Sequence, residues 1–518
     1  MQLHYLPLSI AAVLVLCALY TILRAALSPL RHIPGPFLAR FTRAWYFHSI
    51  WKGKHDLDIS ALHRAYAKPG QYFAPIIRIA PNMYSISAPE KAVYGVSSKM
   101  PKSSWYEGWQ HPSPDHWTVF TDRNIQRHAE SRRVYGNLYA MSSVVSYEKY
   151  VDDCTEIFES RLREIAHQGQ AVDMGHWIQC WAFDVIGDIT YGKRFGFLDK
   201  GEDVAYTMRG IYRRAIYSTL VGVYAWAHPY VYPIMERIPS SGPVAYKYLI
   251  GFASSVLRER KMERAAREAQ GKPAAEEKGD GEAEDFIDKM LDMQRDQKKG
   301  ITDYHVIALG MSNMIAGSDT TAGSFSSTLF QLTRSPRALA TLRSEISRVC
   351  EETGAEDGKL SYRVSEKMPY LQACIKEGMR LFPIAGLSLF RDVGARGADL
   401  CGEHFPAGSE VGINLRIAHF NEDVWGLDAA EFRPERWLES DGERLKLMNT
   451  YFMPFGLGSR TCIGKNISLL EMSKLLPPIV MGFDLEIMHS DRWLDTKNFW
   501  FMKAMNFDVR VRARRGNI

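Results

Sequence analysis

The sequence predicts a mainly α fold with a small β region, preceded by one N-terminal transmembrane helix. Three observations carry this. Apolar residues recur with helical period through long stretches, as in Val151 to Ile165, Trp177 to Thr190 and about Asp303 to Arg334. Short alternating runs such as Ile76-Ile77-Arg78-Ile79, and turn residues such as Phe405-Pro406-Ala407-Gly408, mark a minor β part. From Tyr5 to Leu23 there is no charged residue at all.

That uncharged run opens the chain. About 19 helical residues rise roughly 28 Å, close to the hydrocarbon thickness of a bilayer. A cleaved signal peptide would carry basic residues before the run, and Met1 to His4 has none. Arg24, Arg31, Arg40, Arg43, Lys52 and Lys54 follow it instead, which places the body of the protein on the cytosolic side. Ile33-Pro34-Gly35-Pro36 then stiffens the exit. Residues 1–30 are therefore read as a membrane anchor and 31–518 as one large domain. Within it, residues 60–100 mix a short helix with small strands, and 125–260 are mostly helical. The charged stretch Lys261 to Asp285 is expected to be a solvated loop. Thr302 caps the long helix and Ser335-Pro336 stops it. Further helices reach Phe382, followed by short strands.

Composition removes several classes. The 518 residues are 46% apolar and 24% charged, ordinary for a globular chain. A net charge of +5 over this length gives no case for nucleic-acid binding. The seven cysteines are odd in number and scattered, so they build neither a disulfide framework nor a C-x-x-C zinc site, and a reducing compartment follows.

One cysteine has an unusual setting. Cys462 sits in Phe455-Gly456-Leu457-Gly458-Ser459-Arg460-Thr461-Cys462-Ile463-Gly464. The two glycines let the backbone turn tightly and approach a flat ligand. A helix follows, so a thiolate here would lie near a helix amino terminus, where negative charge is favoured. Arg460 could offer its fork to a carboxylate of the same ligand. In the long helix, Ala316-Gly317-Ser318-Asp319-Thr320-Thr321 clusters poor helix formers. This suggests a local distortion that frees a hydroxyl from its own turn. Glu377 and Arg380, at i and i+3, share a helix face. His128 and Arg132 are four apart on a helix, and Arg391 follows Arg380 by eleven residues.

These segments together resemble the cytochrome P-450 superfamily, from about residue 33 to the end. The cysteine segment matches its F-x-x-G-x-R-x-C-x-G signature in full. Glu377 to Arg380 matches E-x-x-R, Ala316 to Thr321 matches [AG]-G-x-[DE]-T-[TS], and Phe432-Arg433-Pro434-Glu435-Arg436-Trp437 supplies the expected Arg436. Phe183 to Asp188 and Tyr191 to Gly196 look like the pisatin-demethylase-like group of fungal secondary metabolism. The resemblance implies the superfamily's fold, with Cys462 as thiolate ligand of the iron of haem b (iron-protoporphyrin IX). Phe455 and Arg460 would flank the haem, and His128, Arg132 and Arg391 would hold its propionates. Histidine stands where the family has tryptophan in W-x-x-x-R. Thr320 would hydrogen-bond the dioxygen being activated and Asp319 would relay protons. Glu377, Arg380 and Arg436 would form a buried structural triad. Trp437 replaces the usual phenylalanine, with no consequence visible in the sequence.

The implied enzyme is a membrane-anchored monooxygenase inserting one oxygen atom of dioxygen into an apolar small molecule, a step in secondary-metabolite biosynthesis. No flavin or nicotinamide site is visible, so electrons would come from an NADPH–cytochrome P-450 reductase in the same membrane, the endoplasmic reticulum. That reductase would dock on the face carrying Arg127, Arg132, Arg133 and Lys465. Two competing classes are a haem-thiolate isomerase or dehydratase using no dioxygen, against which the intact Asp319-Thr320 speaks, and a haem-binding protein with a sensing or structural role. Candidate substrate-lining segments are Trp105 to Phe120, Met311 to Ile315, Ile384 to Leu389 and Phe499 to Met502.

Overall fold

The 32-residue helix Asp303–Arg334 runs unbroken through its glycines and threonines, and the molecule is organised around it. A computed structural model describes the backbone of residues 5–113, 115–270, 284–296, 300–489 and 493–514, with side chains from residue 12 onward. In chain order, the elements that position the site are α1 (Tyr5–Leu27), β1 (Ile76–Ala80), β2 (Met83–Ile86), α2 (Ile125–Tyr135) and α3 (Met174–Tyr191). They continue with α4 (Asp303–Arg334), α5 (Pro369–Leu381), β3 (Arg391–Asp392), β4 (Glu410–Gly412) and α6 (Lys465–Gly482).

The α4 boundaries are those its sequence dictates. Thr302 precedes the first turn, and its backbone N–H donates to His305 Nδ1 at 3.1 Å. At the other end Pro336 opens the next helix, Pro336–Thr353, because proline suits a first helical turn but not an interior. α4 packs along α3 and against α5 and α6. Phe183, Phe325, Leu329, Ile375 and Leu470 belong to the resulting apolar core. A second core surrounds a four-stranded sheet: β2 pairs with β1 antiparallel and with β4 parallel, and β4 pairs with β3 antiparallel. Leu30 and Ile33 are already buried in that core, beside Trp105, Phe390 and Trp500.

The charged stretch departs from expectation. The helix Gly242–Ala269 continues into it, because its charges have partners on the next elements: Lys261 pairs with Asp303 at 2.5 Å and Arg264 with Asp292 at 2.7 Å. Residues 271–283 of that stretch lie outside the described residues. Over α1, Val13, Leu16, Leu23 and Leu27 are exposed. No helix among the described residues is long and apolar enough to cross a membrane, and residues 1–4 of the expected anchor lie outside them. All seven cysteines are free thiols.

Candidate active site

The cysteine loop is held by its own backbone. Cys462 N–H donates to Phe455 O at 2.8 Å, closing the turn. Gly458 has φ +62°, and a Cβ there would lie 2.1 Å from Tyr94 O. This glycine is thus required by a close approach of two chain segments rather than of a ligand, which corrects part of the sequence reading. α6 begins three residues after Cys462, as expected. Cys462 is exposed to a cavity of about 350 Å³. Desolvation by the surrounding protein raises its thiol, while the N–H groups of Gly464 and Lys465 and the cations Arg132 and Lys102 pull it back.

The opposite wall of that cavity is α4. Ala316, Gly317 and Thr320 line it. The expected distortion is absent: Thr320 Oγ1 donates to Ala316 O at 2.5 Å, within its own helix. A threonine can satisfy its hydroxyl that way without breaking a turn. Gly317 is there for packing, since a Cβ would meet Ile186 Cγ1 of α3 at 2.8 Å. Asp319 lines not this cavity but a smaller one of about 90 Å³, with His176, Gln179 and Lys503. The Gln179 amide hydrogen-bonds its carboxylate. Burial raises its pKa and Lys503 opposes the rise. Neighbours in sequence, Asp319 and Thr320 therefore face different chambers of the molecule. Thr321 reaches across to Ser468 of α6 at 3.1 Å. Next to Thr321 lies Glu471, fully buried and pushed up to about 8 by desolvation.

Along one side of the larger cavity gather His128, Arg132, Arg391, Arg460 and Lys102. The first four are the residues the sequence singles out, and Lys102 is one it misses. Burial and the neighbouring cations Arg391 and Arg460 hold the Lys102 ammonium well below the usual lysine range. Its Nζ donates to Phe120 O at 2.5 Å and sits over the Tyr106 ring. Burial and Arg391 lower Arg460 to about 10, and burial and Arg460 lower His128 to about 3. The only sign of Lys102 in the sequence was a lysine shortly before the aromatic run that opens at Trp105. Arg460 Nη1 donates to Asp122 O at 2.8 Å, while Nη2 is buried with no partner. Four mutually repelling cations at one wall have the chemistry to pair with carboxylates.

Behind the loop lies a second polar cluster. Glu377, Arg380 and Arg436 are buried and bonded together, as the triad requires. Arg380 Nη1 donates to His419 O at 2.7 Å. His419, also missed, donates from Nδ1 to Arg380 O at 3.1 Å and accepts from Met453 N–H through Nε2 at 3.0 Å. Burial lowers its pKa to about 3, so it bridges triad and cysteine loop as a neutral ring. Trp437, which looked inconsequential, donates its indole N–H to Glu377 Oε2 at 2.9 Å.

Each predicted substrate-lining segment contributes to the larger cavity, through Tyr106, Trp109, Phe120, Met311, Ile384 and Trp500 among others. Phe499 and Met502 fall on the smaller chamber instead. Of the four basic residues expected to meet a reductase, Arg132 lines the cavity, Arg127 pairs with Asp122 at 2.7 Å while its side chain stays partly exposed, and Arg133 and Lys465 are exposed.

A thiol at a helix start, an apolar chamber before it and a carboxylate-binding wall beside it fit the three chemical faces of a haem. The fold and site thus define a haem-thiolate enzyme. A family model described as cytochrome P450 matches residues 61–508. A pisatin demethylase of Fusarium vanettenii is 35% identical over 516 residues, covering 99% of this chain and 94% of its own. A cytochrome P450 monooxygenase of Aspergillus terreus is 33% identical, covering 92% of this chain and 95% of its own. The chain belongs to the cytochrome P450 family, monooxygenases that use haem b and draw their electrons from a reductase.

Proposed function

We propose that this enzyme oxygenates an apolar, partly aromatic small molecule in secondary metabolism, in the larger cavity, with Cys462 as the ligand of the haem iron. The observation that carries the reading is that the Cys462 thiol and Thr320 share one chamber walled by aromatic residues. Haem bound to a thiolate supplies the electron push that favours O–O cleavage. Phe455 would flank the cofactor, and Arg132, Arg391, Arg460 and Lys102 would hold its two carboxylates, with neutral His128 as a further N–H donor. Thr320 Oγ turns from Ala316 O to hold a proton in the chamber, and Asp319 takes protons up from the smaller chamber. Trp109, Phe120 and Trp500 exclude water and orient a ring system. The name of the relative that demethylates pisatin supports a small-molecule substrate.

Residues 1–30 anchor the protein in the endoplasmic reticulum, with 31–518 facing the cytosol. The uncharged run, the basic residues after it and the exposed Val13 to Leu27 side chains support this. Arg133 and Lys465 meet an acidic face of the partner reductase.

The reduced protein exposed to carbon monoxide should give the red-shifted absorption band of thiolate-ligated haem. Cys462→Ala should abolish that band. A band retained in the variant would remove Cys462 from the iron.

A further inference from the structure

We propose that Trp437 is a positioning residue for the cysteine loop, its indole N–H completing the donor shell of Glu377 while its ring seats Phe452. The inference rests on the reading that the Cys462 loop holds haem.

Glu377 is fully buried, so water cannot supply missing donors. Its Oε1 accepts from Arg380 Nη2 at 2.8 Å, Arg436 Nε at 2.8 Å and Arg433 N–H at 3.2 Å. Its Oε2 accepts only from Arg380 Nε at 3.0 Å and the Trp437 indole at 2.9 Å. Without the indole, one oxygen of a buried carboxylate keeps a single donor. The same ring packs edge-on against Phe452, with centroids 4.8 Å apart. Phe452 is followed by Met453, whose N–H rests on His419. One side chain therefore touches both the charge cluster and the segment that leads into Phe455. Charged groups around this cluster also include Asp428, bonded to Arg436 and Arg433, Glu439, which meets Arg433 at 3.3 Å, and Lys376, whose Nζ lies 5.5 Å from the Trp437 ring centre.

Trp437→Phe keeps a ring and removes the N–H; Trp437→Leu removes both. Haem transfer from the loaded full chain to excess apomyoglobin, followed across pH, separates the two contributions. Trp437→Phe should release haem about ten-fold faster at neutral pH. The pH below which release accelerates should rise by about one unit, because a carboxylate with fewer donors protonates more readily. Trp437→Leu should be faster again. If Trp437→Phe matches the wild type in rate and pH profile, the N–H has no positioning role and the proposal falls. Should that variant purify without haem, circular dichroism decides: a folded chain supports the proposal, and an unfolded one reduces Trp437 to core packing. Wild-type haem content is the control, since a wild type without haem would instead refute the reading of the Cys462 loop.

Discussion

Arg380 and Arg436 behind the cysteine loop, and Arg391 on the cavity wall, are all withdrawn from water, yet their surroundings are opposite. Arg380 uses all five of its donors: two on Glu377 and the others on the carbonyls of His419, Ala429 and Glu431. Arg436 is equally occupied by Glu377, Asp428 and backbone oxygens. Arg391 donates to Leu389 O and Phe390 O and stands among Lys102, Arg132 and Arg460, with no carboxylate bonded to it among the described residues. The first cluster is complete within the chain. The second has one buried carboxylate nearby, Asp122, whose oxygens are taken up by Arg127. The remaining positive charge is arranged at a cost to the empty fold that an anionic ligand would recover on binding.

This difference fixes what mutation should do. The largest effect belongs to Arg380→Ala. It leaves Glu377 buried and half-partnered, a loss of roughly 3–5 kcal/mol, a large share of a domain's stability. Haem per mole of purified variant should fall to near zero. A variant with normal haem content would make the pair an ordinary ion pair and dissolve the contrast.

Lys102→Met should separate the clusters by sign. Removing one of four repelling cations relieves the wall, so the melting temperature of the folded chain should not fall. Haem release should nevertheless accelerate roughly 10-fold or more, the value of one charge-assisted hydrogen bond. Haem loss and unfolding moving together in this variant would show that the wall, too, is a structural cluster.

Much of this was legible because it is local. The glycines, arginine and cysteine of the loop lie within ten residues, the Glu377–Arg380 pair within one turn, and the ends of α4 follow from Thr302 and Pro336. What was not legible depends on distant partners. Trp437 meets Glu377 from 60 residues away, and Lys102 meets Arg391 and Arg460 only after folding. The helix running into the charged stretch needed Asp303 and Asp292 as partners, which periodicity cannot supply. The hydroxyl of Thr320 was misread because composition shows poor helix formers but not that a threonine can satisfy its hydroxyl on its own helix without distorting it.

The finest test compares two glutamates. Glu377 and Glu471 are both fully buried. Burial would raise Glu377, but Arg380 and Arg436 more than reverse it, and its pKa is lowered. Glu471 has no ion-pair partner among the described residues, and desolvation pushes it up to about 8. The signs are opposite. A lowered folded pKa contributes stability above the ordinary carboxyl range and loses it as pH falls. A raised one contributes fully below about 4.5 and loses it as pH rises through about 8. Glu471→Gln keeps the shape of the neutral acid and removes its titration. Melting of the loaded protein between roughly pH 5 and 8 should therefore be flatter in the variant, by up to about 1.4 kcal/mol per pH unit. In a protein this large that is a shift of only about 1–2 °C per unit. On the acid side, where Glu377 and His419 take up protons, both proteins should lose haem alike. An unchanged slope above pH 5 would mean that Glu471 is already ionised in the folded state, and that a partner for it remains to be found next to Thr321.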